Sequence, residues 1–444
     1  MRRIALASPR SILLDSSMRQ QDFGERDILL LDPVVTLTLP RGAGEAVIHP
    51  AAHAGGNPFD VIERLLGRMP ESGAAPAPPL LAGYISYEAG VFAERMPPPR
   101  AEGPDLSDIH MVCPAVIVVA DYAAGATTVH SLNRDPREIF RLLDAAPSPS
   151  PPPHPGAPER SFSDVQCSLP FEPYLAAVER VIEYIRAGDI FQANLTRQFF
   201  VDGAPPPQVV YERLAGSSPA PYSAWIGLDG GKAVLSSSME LFLRVRGREV
   251  TTRPIKGTMR RGRSPAEDDA LRRQLAGSVK DRAELTMIID LERNDLGRVC
   301  RPGSVAVPDI YRLETFPHVH HLVSTVRGEL REDAGIGALL KAVLPGGSIT
   351  GAPKVRAMEI INELEPARRS VYTGVIGWMD ASGNAELNVA IRTIMCEDGR
   401  AWFPAGGGIV ADSLPEREHE ETLHKARGMA AALGIEWPEG ENDA

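Results

Sequence analysis

Cysteine is scarce in this chain: 444 residues contain four. Cys113, Cys167, Cys300 and Cys396 are scattered, with no paired CxxC spacing, and so suggest neither a zinc cage nor a disulfide framework. A reducing, cytoplasmic setting is expected. Basic charge is also short, with 47 Lys and Arg against 58 Asp and Glu and a formal net charge of −11. That balance argues against a nucleic-acid partner, which would want a basic stripe. An anionic small molecule stays open, provided basic groups gather locally. Long apolar runs are missing too. Met1-Arg2-Arg3 is basic, but Ser8, Pro9 and Arg10 break the apolar letters before a secretory core can form. No other segment is long enough to span a bilayer, so no membrane partner is expected. What remains is ordinary globular composition, 43% apolar and 24% charged, with ample material for a large core.

Residues 145–158 read AAPSPSPPPHPGAP, too stiff and too polar for a helix or a central strand. A Pro-rich linker over 145–160 therefore divides the sequence into an N-terminal region, 1–144, and a catalytic region, 161–438. In the first, Ile28 to Leu31, Val34 to Thr38 and Ala115 to Ala120 read as strands and Phe59 to Met69 as a helix. In the second, Tyr174, Ala177, Val178, Val181, Ile182 and Ile185 recur at helical spacing, with Gly188 as a stop signal. Leu241 to Val245 and Glu249 to Thr252 flank Arg246-Gly247-Arg248 as a hairpin. Val371 to Met379, Ala385 to Met395 and Ala401 to Phe403 alternate with turn signals, which predicts antiparallel sheet. Runs of strands separated by long helices indicate an α+β layered domain.

Two acidic pairs, Asp281 with Glu284 and Glu418 with Glu421, have three-residue spacing on predicted helices, so each pair shares one face. Carboxylates from two helices would suit a hard cation such as Mg²⁺; taken alone, each pair also fits a solvated face. Pro254-Ile255-Lys256-Gly257-Thr258 sets a lysine between a strand end and a glycine that permits close backbone approach. Desolvation lowers a lysine's pKa and lets it act as a nucleophile, although a surface lysine in a turn has the same pattern. Two glycine-rich turns, Pro345 to Lys354 and Ala405 to Val410, expose backbone N–H groups of the kind that bind anions. Neither matches the P-loop or dinucleotide spacing, so small carboxylates are the better ligands. Arg392, in a run read as an apolar strand, would clamp one of them.

In order along the chain, Phe191 to Arg197, Pro254 to Thr258, Asp281 to Glu284, Asp290 to Arg298, His321 to Ser324, Gly346 to Lys354, Tyr372 to Gly374 and Gly406 to Lys425 resemble the motifs of the chorismate-utilising enzymes. That family includes the anthranilate, aminodeoxychorismate, isochorismate and salicylate synthases. A weaker echo lies in Ile12 to Ser16. The resemblance implies two antiparallel sheets packed as a sandwich with helices outside, completed by the N-terminal region. At the position of Lys256 the anthranilate branch resembles P-(L/I)-A-G-T, whereas the aminodeoxychorismate branch resembles P-I-K-G-T, the form found here.

The implied activity is amination of chorismate to 4-amino-4-deoxychorismate, on the way to 4-aminobenzoate and folate. Lys256 would attack ring C2, Glu240 would protonate the departing C4 hydroxyl, and ammonia would then displace the lysine. Glu240 follows Met239 where the family usually has proline. Gln192 stands where the water-adding branches resemble a lysine base, and an amide cannot activate water. Glu284 and Glu421 are the implied Mg²⁺ ligands, with Asp281 and Glu418 as neighbours. Tyr372, Arg392 and the amides of Gly406, Gly407 and Gly408 form the implied carboxylate cradle, with Lys425, Thr350, Thr258 and His321 nearby. No glutaminase Cys-His-Glu constellation is visible, so a separate glutamine amidotransferase subunit, or free ammonium, is the expected ammonia source. Two rivals are anthranilate synthase activity and a non-catalytic subunit that senses a small molecule such as tryptophan through Leu13-Leu14-Asp15-Ser16.

Overall fold

The computed structural model describes residues 1–18, 24–50, 52–69, 81–145, 159–316 and 319–438. The predicted Pro-rich linker lies outside these residues except for its ends. The chain is α+β: antiparallel ladders join most strands into one extended network, with a separate three-stranded sheet and helices packed on the outside.

Strands from the first third of the chain are built into the same network as those from the last. Ile12–Asp15 lies between Arg26–Leu39 and Tyr222–Gly227, and Leu81–Ile85 pairs with Val375–Met379. Ile28 to Leu31 and Val34 to Thr38 form one strand, Arg26–Leu39, because its ladder to Ile109–Asp121 absorbs Pro33 in a register shift. The amphipathic repeat after the linker forms the helix Phe171–Ala187, and Gly188 ends it at φ 84°. Its buried face, Tyr174, Ala177, Val178, Val181 and Ile182, packs with Ile190, Ala193, Leu195, Ile360 and Ile361. This cluster backs the three-stranded sheet, in which Gln192–Arg197 runs between Gly351–Ala352 and Ala405–Ile409.

The hairpin around Gly247 is present, with Leu241–Arg246 against Glu249–Thr252. The expected strand from Ala385 to Met395 is broken. Ala385–Val389 and Thr393–Glu397 are separate strands, because the chain leaves the ladder between them. Ala390 N–H bonds Gly374 O, and Arg392 takes φ 51°. The expectation of Arg392 within a strand is therefore corrected: it sits at a kink. A left-handed arginine costs on the order of 1–3 kcal/mol, a conformation the flanking ladders hold in place.

Candidate active site

A cavity of about 590 Å³ opens between the three-stranded sheet, the strand Ile255–Arg260 and the helices Val279–Gly297 and Pro415–Ala432. Twelve of the residues expected from the sequence line it. Glu240, Lys256, Thr258, His321, Tyr372 and Arg392 come from strands of the large sheet and the turns beside them; Asp281, Glu284, Glu421 and Lys425 from the two helices; Gly406 and Gly408 from the three-stranded sheet. Four others stand behind the wall: Gln192, Thr350, Gly407 and Glu418.

Lys256 is half-buried, and its strand kinks at Gly257, φ 73°, where the ladder shifts register. A Cβ there would lie 2.9 Å from Asp281 Cγ, so only glycine lets this strand approach the helix so closely. Gln192 is fully buried in the sheet behind Gly408, and neither of its amide atoms has a hydrogen-bond partner. A Cβ on Gly408 would stand 2.6 Å from Gln192 Nε2 and 3.4 Å from Lys256 Nζ. The missing side chain at Gly408 is thus what leaves room between sheet and lysine.

Glu240 is buried, and desolvation lifts its pKa to about 7, against the pull of a Ser348 hydrogen bond and the charge of Lys256. A carboxyl in this state still carries a proton near neutrality, as a general acid requires. Thr258 Oγ1 and His321 Nδ1 are 2.9 Å apart. Burial, reinforced by Arg392, depresses His321 to about 4 and keeps it neutral. Arg392 is lowered by burial as well, with Tyr372 opposing.

The carboxylates divide into two groups. Glu284 is raised by burial, opposed by Lys256 and Lys280 and reinforced by Asp281 and Glu421. Glu421 is lowered, chiefly by Lys425, whose Nζ lies 2.5 Å from Glu421 Oε1 and donates to Gly406 O at 3.0 Å. Glu418 is buried outside the cavity lining; its Oε1 accepts from Ser413 Oγ at 2.6 Å. Asp281 lines the cavity and accepts no metal-like cluster of neighbours: among the described residues no three His, Cys, Asp or Glu side chains already converge on one point. Asp281, Glu284 and Glu421 nevertheless offer carboxylate oxygens, which suit Mg²⁺, beside Lys280, His424 and Lys425 on the same two helices. Thr350 is fully buried and its hydroxyl donates back to Gly346 O at 2.8 Å, bracing the turn. Gly407 faces the other way, with its Cβ position 3.2 Å from Glu418 Oε2.

Sequence reasoning did not single out Ser348, Asn194 or Lys280. Ser348 and Asn194 lay inside quoted motifs, as polar letters among glycine and apolar residues. Lys280 is signalled by its i, i+4 spacing to Glu284, 3.9 Å away. A second cavity, about 470 Å³, lies beside Leu14, Asp15, Tyr222, Trp378 and Asn388. Among the described residues no helix is long and apolar enough to cross a membrane.

An acid, a lysine and facing carboxylates thus gather in one cavity of an antiparallel α+β scaffold. Residues 31–431 match the chorismate binding enzyme family, and the chain belongs to it. It is 36% identical over 441 residues to aminodeoxychorismate synthase component 1 of Escherichia coli, covering 96% of this chain and 93% of that one. It is also 38% identical over 404 residues to anthranilate synthase component 1 of Streptomyces coelicolor, covering 86% and 79%. Its fold is similar to the crystal structure of anthranilate synthase component I from Streptococcus pneumoniae, with TM-score 0.80, 28% identity and 91% and 92% coverage.

Proposed function

We propose that this chain is a cytoplasmic enzyme that aminates chorismate at C4, giving 4-amino-4-deoxychorismate and water. The observation that carries the proposal is Lys256, a lysine in the cavity wall beside Glu240, where the anthranilate branch resembles an alanine. Lys256 Nζ bonds to ring C2, the two ring double bonds shift, and the C4–O bond breaks as Glu240 gives its proton to the departing hydroxyl. Ammonia then bonds to C4, the double bonds shift back, and the C2–N bond to Lys256 breaks. The proton shed by the incoming nitrogen returns to Glu240. One hard displacement becomes two easier ones.

Arg392, Tyr372 and the amides around Gly406 to Gly408 hold the carboxylate remote from the helices. Glu284 and Glu421, with Asp281 beside them, are the residues to hold Mg²⁺, and Glu418 stays behind them. When bound, the ion would neutralise the ring carboxylate that these acidic helices would otherwise repel. Gln192, buried behind Gly408, is an amide where the water-adding branches resemble a lysine base, so no base stands there to favour attack by water.

Ammonia reaches the chain from a glutamine amidotransferase subunit. Incubation of the purified chain with chorismate, Mg²⁺ and ammonium tests the whole reading. It should yield 4-amino-4-deoxychorismate without pyruvate, and glutamine should replace ammonium only when a glutaminase is added. Release of pyruvate with anthranilate would place the chain in the other branch.

A further inference from the structure

One buried cation behind the cavity wall takes no part in the reaction above. Arg369 is 1% exposed and follows Glu365, the residue that closes the helix Lys354–Leu364. Its guanidinium donates four hydrogen bonds to three segments of the chain. Nε and Nη2 fork onto Glu365, at 2.9 Å to Oε2 and 2.7 Å to Oε1. Nη1 donates to Ile349 O at 2.8 Å and Nη2 to Asn194 O at 2.6 Å. Glu365 extends the fork, because its Oε1 also accepts from Thr196 N–H at 2.8 Å. The Tyr87 ring covers one face of the guanidinium, 4.5 Å from its carbon.

Each segment tied in this way reaches the cavity. Asn194 and Ile349 line it, and Thr196 pairs with Gly406 in the three-stranded sheet. Ser348, beside Ile349, lines the cavity too and hydrogen-bonds Glu240. The chain itself runs on from Arg369 through Ser370, at φ 56°, to Tyr372 of the carboxylate cradle. The turn behind the acid, the sheet wall and the cradle therefore meet at one side chain. A buried ion pair is often no more stabilising than apolar side chains of equal volume. What an arginine fork adds is direction, since one rigid plane fixes a carboxylate and two carbonyls relative to each other. A lysine offers no such plane.

We propose that Arg369, braced by Glu365, is a positioning residue that sets the Ser348 hydroxyl, and through it the Glu240 acid, in register with the carboxylate cradle. The inference rests on Glu240 being the general acid.

The test is a double-mutant cycle on kcat in the full chain, with Arg369→Lys, Ser348→Ala and the two combined. Lysine keeps the charge beside Glu365 but cannot hold the fork and both carbonyls at once. Arg369→Lys should lower kcat about ten- to a hundredfold, with the KM for chorismate changed less than about threefold. The combined variant should fall within about twofold of the worse single one, because both changes release the same hydroxyl. Losses that multiply, or a kcat in Arg369→Lys within about threefold of wild type, overturn the proposal. If Arg369→Lys does not fold, Glu365→Gln, of the same shape but with one acceptor in place of two, enters the same cycle; its loss should again be absorbed by Ser348→Ala, and multiplication would again overturn the proposal. A non-additive cycle together with full turnover in Glu240→Gln would instead overturn Glu240 as the acid and leave Arg369 as the residue that places Ser348.

Discussion

Thr258 Oγ1 and His321 Nδ1 stand 2.9 Å apart, on residues that face each other in the ladder between Ile255–Arg260 and Val319–Glu329. The pairing ties the strand that carries Lys256 to a histidine kept neutral by burial, with a pKa near 4. His321 therefore changes charge only well below the working range. His321→Ala should lower kcat but leave the shape of the pH profile between pH 5 and 9 unchanged. A limb that vanished in the variant would make His321 a titrating participant.

Glu240 carries the opposite sign. Its folded pKa, about 7, exceeds the ordinary glutamate value, so the folded chain binds more protons than the unfolded one between about pH 4.5 and 7. Stability from this group is full below that window and is lost as pH rises through it. Glu240→Gln should be nearly neutral to stability at pH 4.5 and stabilising by up to about 3 kcal/mol at pH 8, while turnover collapses. Denaturant unfolding at the two pH values checks it.

At Gly408, absence of a side chain keeps the wall open. Gly408→Ala should push Gln192 and crowd Lys256, costing about 1–2 kcal/mol of stability but about a hundredfold in kcat. Equal losses in a variant at a solvent-facing glycine, such as Gly44, would remove the special role.

Much of this was legible in the sequence because it depends on local pattern. The helix after the linker ends at Gly188 because only a residue at ease with positive φ closes it there. The acidic pairs share a face because three residues make most of a helical turn. The broken strand at Arg392 was not legible: its apolar run reads as continuous, and the break comes from Gly374 O capturing Ala390 N–H across the fold. The same limit applies to Glu418, whose Ser413 bond nothing in the spacing announces. Tertiary convergence made Lys256 and Glu240 neighbours, and the sequence supplied it only through resemblance.

The carboxylate wall leads to a metal prediction. Glu421 is bound to Lys425 in this structure, so Mg²⁺ must exchange for that ammonium, and both acidic helices should tighten when it does. Glu284→Gln and Glu421→Gln should each weaken Mg²⁺ binding at least about tenfold, read by calorimetry without substrate, and lower turnover in parallel. Undiminished activity in EDTA would remove the metal from the account.

The covalent role of Lys256 is the central claim, and intact-protein and peptide mass spectrometry tests it most directly. With chorismate present and ammonia withheld, the second displacement cannot occur. Chorismate less its hydroxyl should then accumulate as added mass on the peptide that contains Lys256, be absent in Lys256→Ala, and disappear when ammonium is supplied. A wild-type chain that shows no adduct after trapping, together with full activity in Lys256→Ala, would contradict the covalent mechanism.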